Sequence, residues 1–440
     1  MIKEPSKKEV ALGYLSQLLN IGSGILVIPL LVSFLSSDDM GLWYLFLAFG
    51  GMAQLLEFGL QPTIVRTIAY IYSGASDIVL DKVPERSGEV NNSLLIDVVQ
   101  SIKYIYKIVS SLGFILLFTL GTLYLLKFDS FQGNNLLAWV LFSLSTVLNL
   151  YFSYIGGILS GRGEQSKVYL SVTISKLLML VTCAPLLYLG YGLLSMGIAF
   201  FVSSFCSRLI LAYYYKNSES YVEFENTDVT RDYRLIIFKS AKKLGLVSIG
   251  SFFISKANTI LVSSFFGLKV VAGYGLSLQV IGIISSVSGM FFYINIPRLS
   301  SLQVQRKIDE IKRLFFRSIY IVHLIYFISA FLLLVLGDYF LGVIGSETRL
   351  LELPLLIFIL VVSQLDLNHS MCATYLTSRN SPPSPIPILI SGLFVVLFSL
   401  ATIKLTSLGV LGLILSQFIV QLSFNNWYWP YKAIKSFSNN

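Results

Sequence analysis

Four ionisable side chains stand inside apolar stretches of this sequence: Glu57, Lys176, Lys256 and Asp366. Glu57 lies in residues 41–69, GLWYLFLAFGGMAQLLEFGLQPTIVRTIA, with Gln54 before it and Gln61 after it. Their spacing, i, i+3 and i+7, puts the three side chains on one face of a helix. The stretch is long enough to cross a bilayer, for which about 20 apolar residues suffice. A carboxylate in a spanning helix costs about 2.5–3.5 kcal/mol on insertion scales, so this face is expected to look onto water or a polar partner. Arg66 follows on the other side of Pro62, where a kink is expected. It reads either as a contact for an anionic headgroup or as an anchor at the membrane interface.

The remaining polar groups fall at helical spacing in other apolar runs. Asn20 shares a face with Gln17 and Gly24, which suits either a polar path or close packing of small residues. Asn149, Ser153, Gly156 and Ser160 form a stripe that reads as a helix-packing face. Lys176 either snorkels to the interface or faces a cavity as a cation. Ser248, Ser251, Ser255, Thr259 and Ser263 make a hydroxyl stripe flanked by Lys256 and Asn258; Lys256 sits near mid-span, where snorkelling is hardest. Asp366 lies in SQLDLNHSMCATYLTSRN and reads as an ion-binding group or a structural partner for a cation. His369 beside it titrates near neutral pH if free but reads more simply as a hydrogen-bonded spacer. His323 reads as structural.

Composition says what kind of element positions these groups. Of 440 residues, 55% are hydrophobic and 12% charged, with mean hydropathy +0.76; soluble domains carry about 25% charged residues. The chain is therefore expected to be an all-α polytopic membrane protein. Twelve spans are predicted: 11–35, 40–70, 107–126, 135–160, 167–189, 191–215, 243–266, 271–294, 315–337, 351–376, 385–405 and 408–429. With the N-terminus in the cytoplasm, 26 Lys and Arg residues fall on the cytoplasmic side against 4 outside, which satisfies the positive-inside rule and puts both termini in the cytoplasm. The net charge of +9 is accounted for by this orientation and calls for no nucleic-acid partner. The apolar run 11–35 is too long for a cleavable signal peptide.

Two long loops, 71–106 and 216–242, are predicted on the cytoplasmic side, and 94–107 is expected to form an amphipathic helix at the interface. The second loop divides the spans six and six, giving an N-terminal lobe 1–216, a linker 217–242 and a C-terminal lobe 243–440. The halves are weakly alike: Ser33-Phe34 then Gly41-Leu-Trp-Tyr in one, Ser264-Phe265 then Gly273-Tyr-Gly-Leu in the other. Two His and three Cys, Cys183, Cys206 and Cys372, all in apolar runs, offer neither a metal motif nor a disulfide framework. No cofactor is expected. The turn GRGEQSK at 161–167 lacks the spacing of a phosphate cradle, and no Walker A loop, nucleophile elbow or catalytic carboxylate pair is present. The closing WYWPY, 427–431, with Lys432 and Lys435, reads as an aromatic belt and anchor.

The first span with Pro29, the 41–66 block, the exit GGILSGRGEQSK of the fourth span and the exit IPRLSSL of the eighth resemble the polysaccharide-transporter branch of the multidrug/oligosaccharidyl-lipid/polysaccharide (MOP) exporter superfamily, in particular Wzx-type O-antigen repeat-unit flippases. The likeness covers nearly the whole chain. It implies about twelve transmembrane helices in two six-helix lobes around a central cavity, alternating access, and a polyprenyl-diphosphate-linked oligosaccharide as cargo. It also implies a bacterial inner membrane, with membrane lipids and other polysaccharide-assembly membrane proteins as partners. Cavity cations would meet the anionic headgroup; by location these are Lys176, Lys256 and Arg66, with Glu57, Gln54, Gln61, Asn20 and Asn258 as further cavity candidates. Glu57 or Asp366 would bind a proton or Na⁺, unless the membrane potential alone drives export. Rival readings are a small-molecule antiporter of the multidrug branch, for which a carboxylate-dominated cavity is expected, and a membrane glycosyltransferase or repeat-unit polymerase, which needs a larger outer loop.

Overall fold

The computed structural model describes residues 7–80, 85, 88–218, 231–305, 307–378 and 385–437. Among these, helices α1 (Lys7–Phe34), α2 (Ser37–Leu55), α3 (Leu60–Tyr72) and α4 (Asn92–Ile115) come first. A π-helical turn, Leu116–Gly121, then leads from α4 into α5 (Thr122–Leu125). Helices α6 (Asn134–Arg162), α7 (Gln165–Tyr188), α8 (Leu193–Lys216) and α9 (Arg234–Ser255) follow. Next are α10 (Ala257–Phe266), α11 (Leu268–Val304), α12 (Ile308–Val343) and α13 (Leu353–Ser378). The chain closes with α14 (Pro385–Leu405), α15 (Val410–Ser423) and α16 (Asn425–Lys435). The fold is all-helical.

Nine helices among the described residues are long and apolar enough to cross a membrane, and the bent pair Ser37–Leu55 and Leu60–Tyr72 makes ten. The apolar helices Gly22–Phe34 and Val410–Ser423 at the first and last predicted spans are shorter. Helical spans suit lipid because every backbone group is satisfied within the segment.

Three expectations about elements need correction. Residues 94–107 do not form a separate surface helix: Asn92–Leu125 is one apolar span, opened by Asn91, whose side chain accepts the Leu94 N–H at 3.1 Å. The bend near Glu57 is not at Pro62. The helix breaks at residues 56–59, where Phe58 has φ 48° and Gly59 φ 70°, and resumes at 42°. Pro62 then falls in the first turn of α3, where a missing N–H costs nothing. Finally, the last predicted span breaks at Phe424 (φ −144°, ψ −63°) into α15 and α16.

The chain forms two compact units. One comprises Met1–Leu30 and Phe46–Ile249, the other Leu31–Leu45 and Gly250–Asn440. Residues 219–230 of the predicted linker lie outside the described residues.

In the first unit, Phe46, Trp139 and Phe142 form an aromatic core, with Phe46 and Trp139 centroids 4.9 Å apart. Small residues let the helices close around it. A Cβ on Gly197 would stand 2.7 Å from Ala138 Cα, and one on Gly161 2.7 Å from Val65 O. The turn at 161–167 is closed by its own charges: Lys167 Nζ lies 3.0 Å from Glu164, and Ser218 receives Arg162 at 2.8 Å while donating to Glu164 at 3.1 Å.

The second unit is built on Phe292, Phe315, Tyr375 and Trp429. The two similar segments noted in the sequence meet within it. Gly275 lies directly against the Tyr44 ring, and the Tyr44 hydroxyl donates to Gln279 Oε1 at 2.8 Å.

A polar clasp ties residues 77 and 231–233 to the first turns of α4. Arg231 pairs with Asp77 at 2.5 Å, and the Tyr233 hydroxyl donates to Asp77 at 2.7 Å. The Arg231 N–H donates to Asp97 and the Tyr233 N–H to Ser101, both at 3.1 Å. Burial of Asp77 opposes its ionisation, but hydrogen bonds from Tyr233, the Ile78 N–H and Arg231, together with the Arg231 charge, outweigh it and hold the carboxyl below its ordinary value. Burial, aided by the bond to Asp77, pushes the Tyr233 phenol up to about 12.

Candidate functional site

Glu57 sits just past the end of α2, in a stretch that tightens before the chain enters α3. The N–H groups of Leu56, Glu57 and Phe58 bond three residues back, to Ala53, Gln54 and Leu55, which spends the backbone donors without needing water. The break is fixed from outside. The Phe58 ring covers Gly245 and stacks on Phe238 with centroids 5.4 Å apart. At φ 70° Gly59 has the left-handed conformation glycine tolerates, and a Cβ there would meet Leu244 Cβ at 2.6 Å.

This geometry turns Glu57 inward, toward α4 and α6. Its Oε1 accepts the Tyr106 hydroxyl at 2.7 Å and the Ser153 hydroxyl at 2.8 Å. Gln61 Oε1 stands 3.5 Å from the Tyr106 hydroxyl and 3.4 Å from that of Ser153. The Gln61 amide also lies over Gly156 and Gly157, and a Cβ on Gly157 would stand 3.2 Å from its oxygen. So the stripe of α6 that read as a packing face is one, and it also carries the partners of Glu57.

One turn earlier on α6, Asn149 Oδ1 accepts Arg208 Nε at 2.9 Å, and Asn149 Nδ2 donates to Ser204 Oγ at 3.0 Å. Arg208 belongs to α8, which continues to Lys216. Sequence reading missed it by assigning it to the basic cytoplasmic flank. Spacing held a usable signal: Ser204 and Arg208 lie i, i+4 on a helix that carries no other charge before its terminal Lys216. The Arg208 guanidinium is half-buried and feels the charge of Glu57.

Other predicted residues of this unit stand apart. Gln54 and Arg66 are exposed and Lys176 is half-buried, and among the described residues none of the three side chains has a hydrogen-bond or ionic partner. Asn20 lies in α1, but its side chain is outside the described residues, as is that of Gln17.

The second unit holds its own polar cluster, at the break near Phe424. Asp366 accepts Gln417 Nε2 at 3.1 Å and Gln421 Nε2 at 3.3 Å. Gln421 Oε1 takes Asn425 Nδ2 at 2.6 Å, and Asn425 also holds Ser391 and Trp429. His369 Nδ1 lies 3.1 Å from Asn426 Oδ1 and 3.7 Å from Asp366. No Lys or Arg pairs with Asp366 among the described residues. Its neighbours are amides and one imidazole.

Lys256 occupies the break between α9 and α10; it is exposed and has no partner among the described residues. The hydroxyl stripe around it is partly spent on its own helix, since Ser248 and Ser255 donate to the carbonyls of Leu244 and Ser251. Asn258 is buried and accepts the Ser399 hydroxyl at 3.1 Å. No group of three or more metal-ligating side chains occurs among the described residues.

Solved structures with a similar fold include MATE family transporters and transporters described as members of the MOP superfamily. The MATE multidrug transporter DinF-BH, in a ligand complex, matches with a TM-score of 0.65 and 14% identity, over 100% of each chain. The inward-facing conformation of a multidrug resistance MATE family transporter matches with a TM-score of 0.60 and 16% identity, over 97% of this chain and 96% of the other. A MOP superfamily transporter from Pyrococcus furiosus Vc1 (DSM3638), described as having a binding pocket of reverse polarity, matches with a TM-score of 0.53 and 15% identity, over 100% and 98% of the chains. At such identities the likeness is one of fold. The sequence is more specific: residues 6–303 match the polysaccharide biosynthesis protein family, and the chain belongs to it. None of the curated proteins matches it.

Proposed function

We propose that the protein flips polyprenyl-diphosphate-linked oligosaccharide repeat units, of O-antigen or a related polysaccharide, from the cytoplasmic to the periplasmic leaflet of a bacterial inner membrane by alternating access. The observation that carries this reading is the set of cations inside the spans: Lys176 and Lys256 have no partner and Arg208 has only an amide, among the described residues. A cation held inside a membrane span without a counter-charge is costly, and an anionic cargo supplies one. Sugar hydroxyls entering hydrocarbon unpaired cost several kcal/mol each; the carboxylate, amide and hydroxyl groups around Glu57 replace water for them. Outward movement of an anion is also favoured by an inside-negative potential, by about 2.3 kcal/mol per charge per 100 mV. Glu57 and Asp366 are the candidates for a coupled proton or Na⁺, and both termini are placed in the cytoplasm.

Deletion tests the reading. Long surface polysaccharide should disappear while lipid-linked repeat units accumulate on the cytoplasmic leaflet. Single units accumulating on the outer leaflet would point to a polymerase instead. The multidrug antiporter reading draws on the multidrug transporters of the same fold; it expects deletion to sensitise cells to cationic compounds and to leave the polysaccharide intact.

A further inference from the structure

Arg208 combines three properties that a purely structural arginine does not need. Its orientation is fixed: Nε is held by Asn149, and Asn149 is held by Ser204, four residues before Arg208 on the same helix. Its remaining capacity is unused. A guanidinium has five N–H donors in a planar fork, and among the described residues Arg208 has no partner beyond Asn149 and no carboxylate within 4 Å. Its charge is permanent, because arginine does not deprotonate in proteins. The two Nη groups are therefore a pre-aimed pair of donors, of the geometry that takes two oxygens of a phosphate.

Glu57 complements it without quenching it. The carboxylate is close enough to be felt electrostatically by Arg208, yet the two form no ion pair. Oε1 is spent on Tyr106 and Ser153, while Oε2 has no partner among the described residues. Asn149, which aims the arginine, and Ser153, which aims the glutamate, are four residues apart on α6, so their side chains are separated by about 5–6 Å. An oxyanion-accepting fork thus stands about one helical turn from a carboxylate oxygen that accepts hydroxyl donors. That is the donor–acceptor pattern of a phosphate joined to a sugar ring.

We propose that Arg208, aimed by Asn149 and Ser204, seats the phosphate oxygens of a glycosyl phosphate whose sugar hydroxyls donate to Glu57. This deepens the cargo assignment above and rests on it. It also separates the first unit's charged pair into two roles, with Arg208 binding the anion and Glu57 the sugar.

The full-length protein in lipid nanodiscs, titrated calorimetrically with glucose 1-phosphate and, separately, with inorganic pyrophosphate, tests the assignment. Wild type should bind glucose 1-phosphate. Arg208→Gln should weaken it by about tenfold or more, as expected for a lost charge-assisted fork. Arg208→Lys, which keeps the charge and loses the fork, should fall between. Equal binding by wild type and Arg208→Gln overturns the site and leaves the flippase reading standing. Binding of pyrophosphate without glucose 1-phosphate overturns the role given to Glu57. Should Arg208→Gln fail to fold, phenylglyoxal labelling of wild type read by peptide mass spectrometry decides the matter. Glucose 1-phosphate should slow labelling at Arg208 and leave Arg66 unaffected; unchanged labelling at Arg208 overturns the site. Failure of the cargo reading looks different, since deletion would then leave surface polysaccharide intact whatever Arg208 binds.

Discussion

Asp77 shows how a single side chain outside the spans can report on the whole. It gathers Arg231, Tyr233 and the Ile78 N–H onto one carboxylate. Its folded pKa is lowered, so its contribution to stability is present above the ordinary carboxylate range, near pH 4, and is lost as pH falls through the lower folded value. The expected result is a melting temperature that drops on acidification in wild type and drops less in Asp77→Asn. Parallel curves for the two proteins would remove Asp77 from the account. At this scale the sequence was informative about types and weaker about partners. Glu57 and Gln61 are grouped by a helical spacing that the break at 56–59 interrupts; they meet because both reach the Tyr106 and Ser153 hydroxyls, while Gln54, expected on the same face, is exposed. Arg208 was hidden, although the predicted span is 191–215 and the helix ends at Lys216, because a basic residue near the cytoplasmic end of a span reads as part of the positive flank. The contacts of Asp366 with Gln417, Gln421 and His369 come largely from another helix, which spacing along one segment cannot reveal.

Helix breaks set the positions of the polar groups. Each of the three lies at such a group: Phe58-Gly59 beside Glu57, Lys256 itself, and Phe424 beside Gln421 and Asn425. None is caused by proline. The break at Phe58 places a bulky residue at positive φ, a conformation that costs about 1–3 kcal/mol and persists only when its surroundings enforce it. Here Phe238 and the bare backbone of Gly245 provide that enforcement. Gly245→Ala should drive its new methyl into the Phe58 ring and destabilise the protein by about 1–3 kcal/mol, the usual range for overpacking, measured as a lowered unfolding midpoint in detergent. An unchanged midpoint would mean that the ring is not what holds the bend. Pro62 drew attention in the sequence because its backbone chemistry is known in advance. Phe58 did not, because its conformation is imposed by α9, some 180 positions later in the chain.

For the molecule as a whole, composition and charge asymmetry were enough to establish a many-helix membrane protein, since lipid leaves few alternatives to helices. The resemblance supplied the superfamily, and the match to the polysaccharide biosynthesis protein family supports it over most of the chain. What no linear reading supplied is the ownership of residues 31–45. A single cut through the 216–242 loop looks as though it should yield two self-sufficient pieces. Yet Leu31–Leu45 is grouped with Gly250–Asn440, and Gly41 and Tyr44 fill places against Leu268 and Gly275. A fragment beginning after that loop would therefore lack fifteen of its own residues. Made alone, it should be digested rapidly by trypsin; made alongside residues 1–249, it should recover resistance. Folding by each piece on its own would show the borrowed strip to be dispensable. If the strip is needed, the protein behaves as two bodies sewn together by an exchange of thread, and neither can be completed before the other has begun.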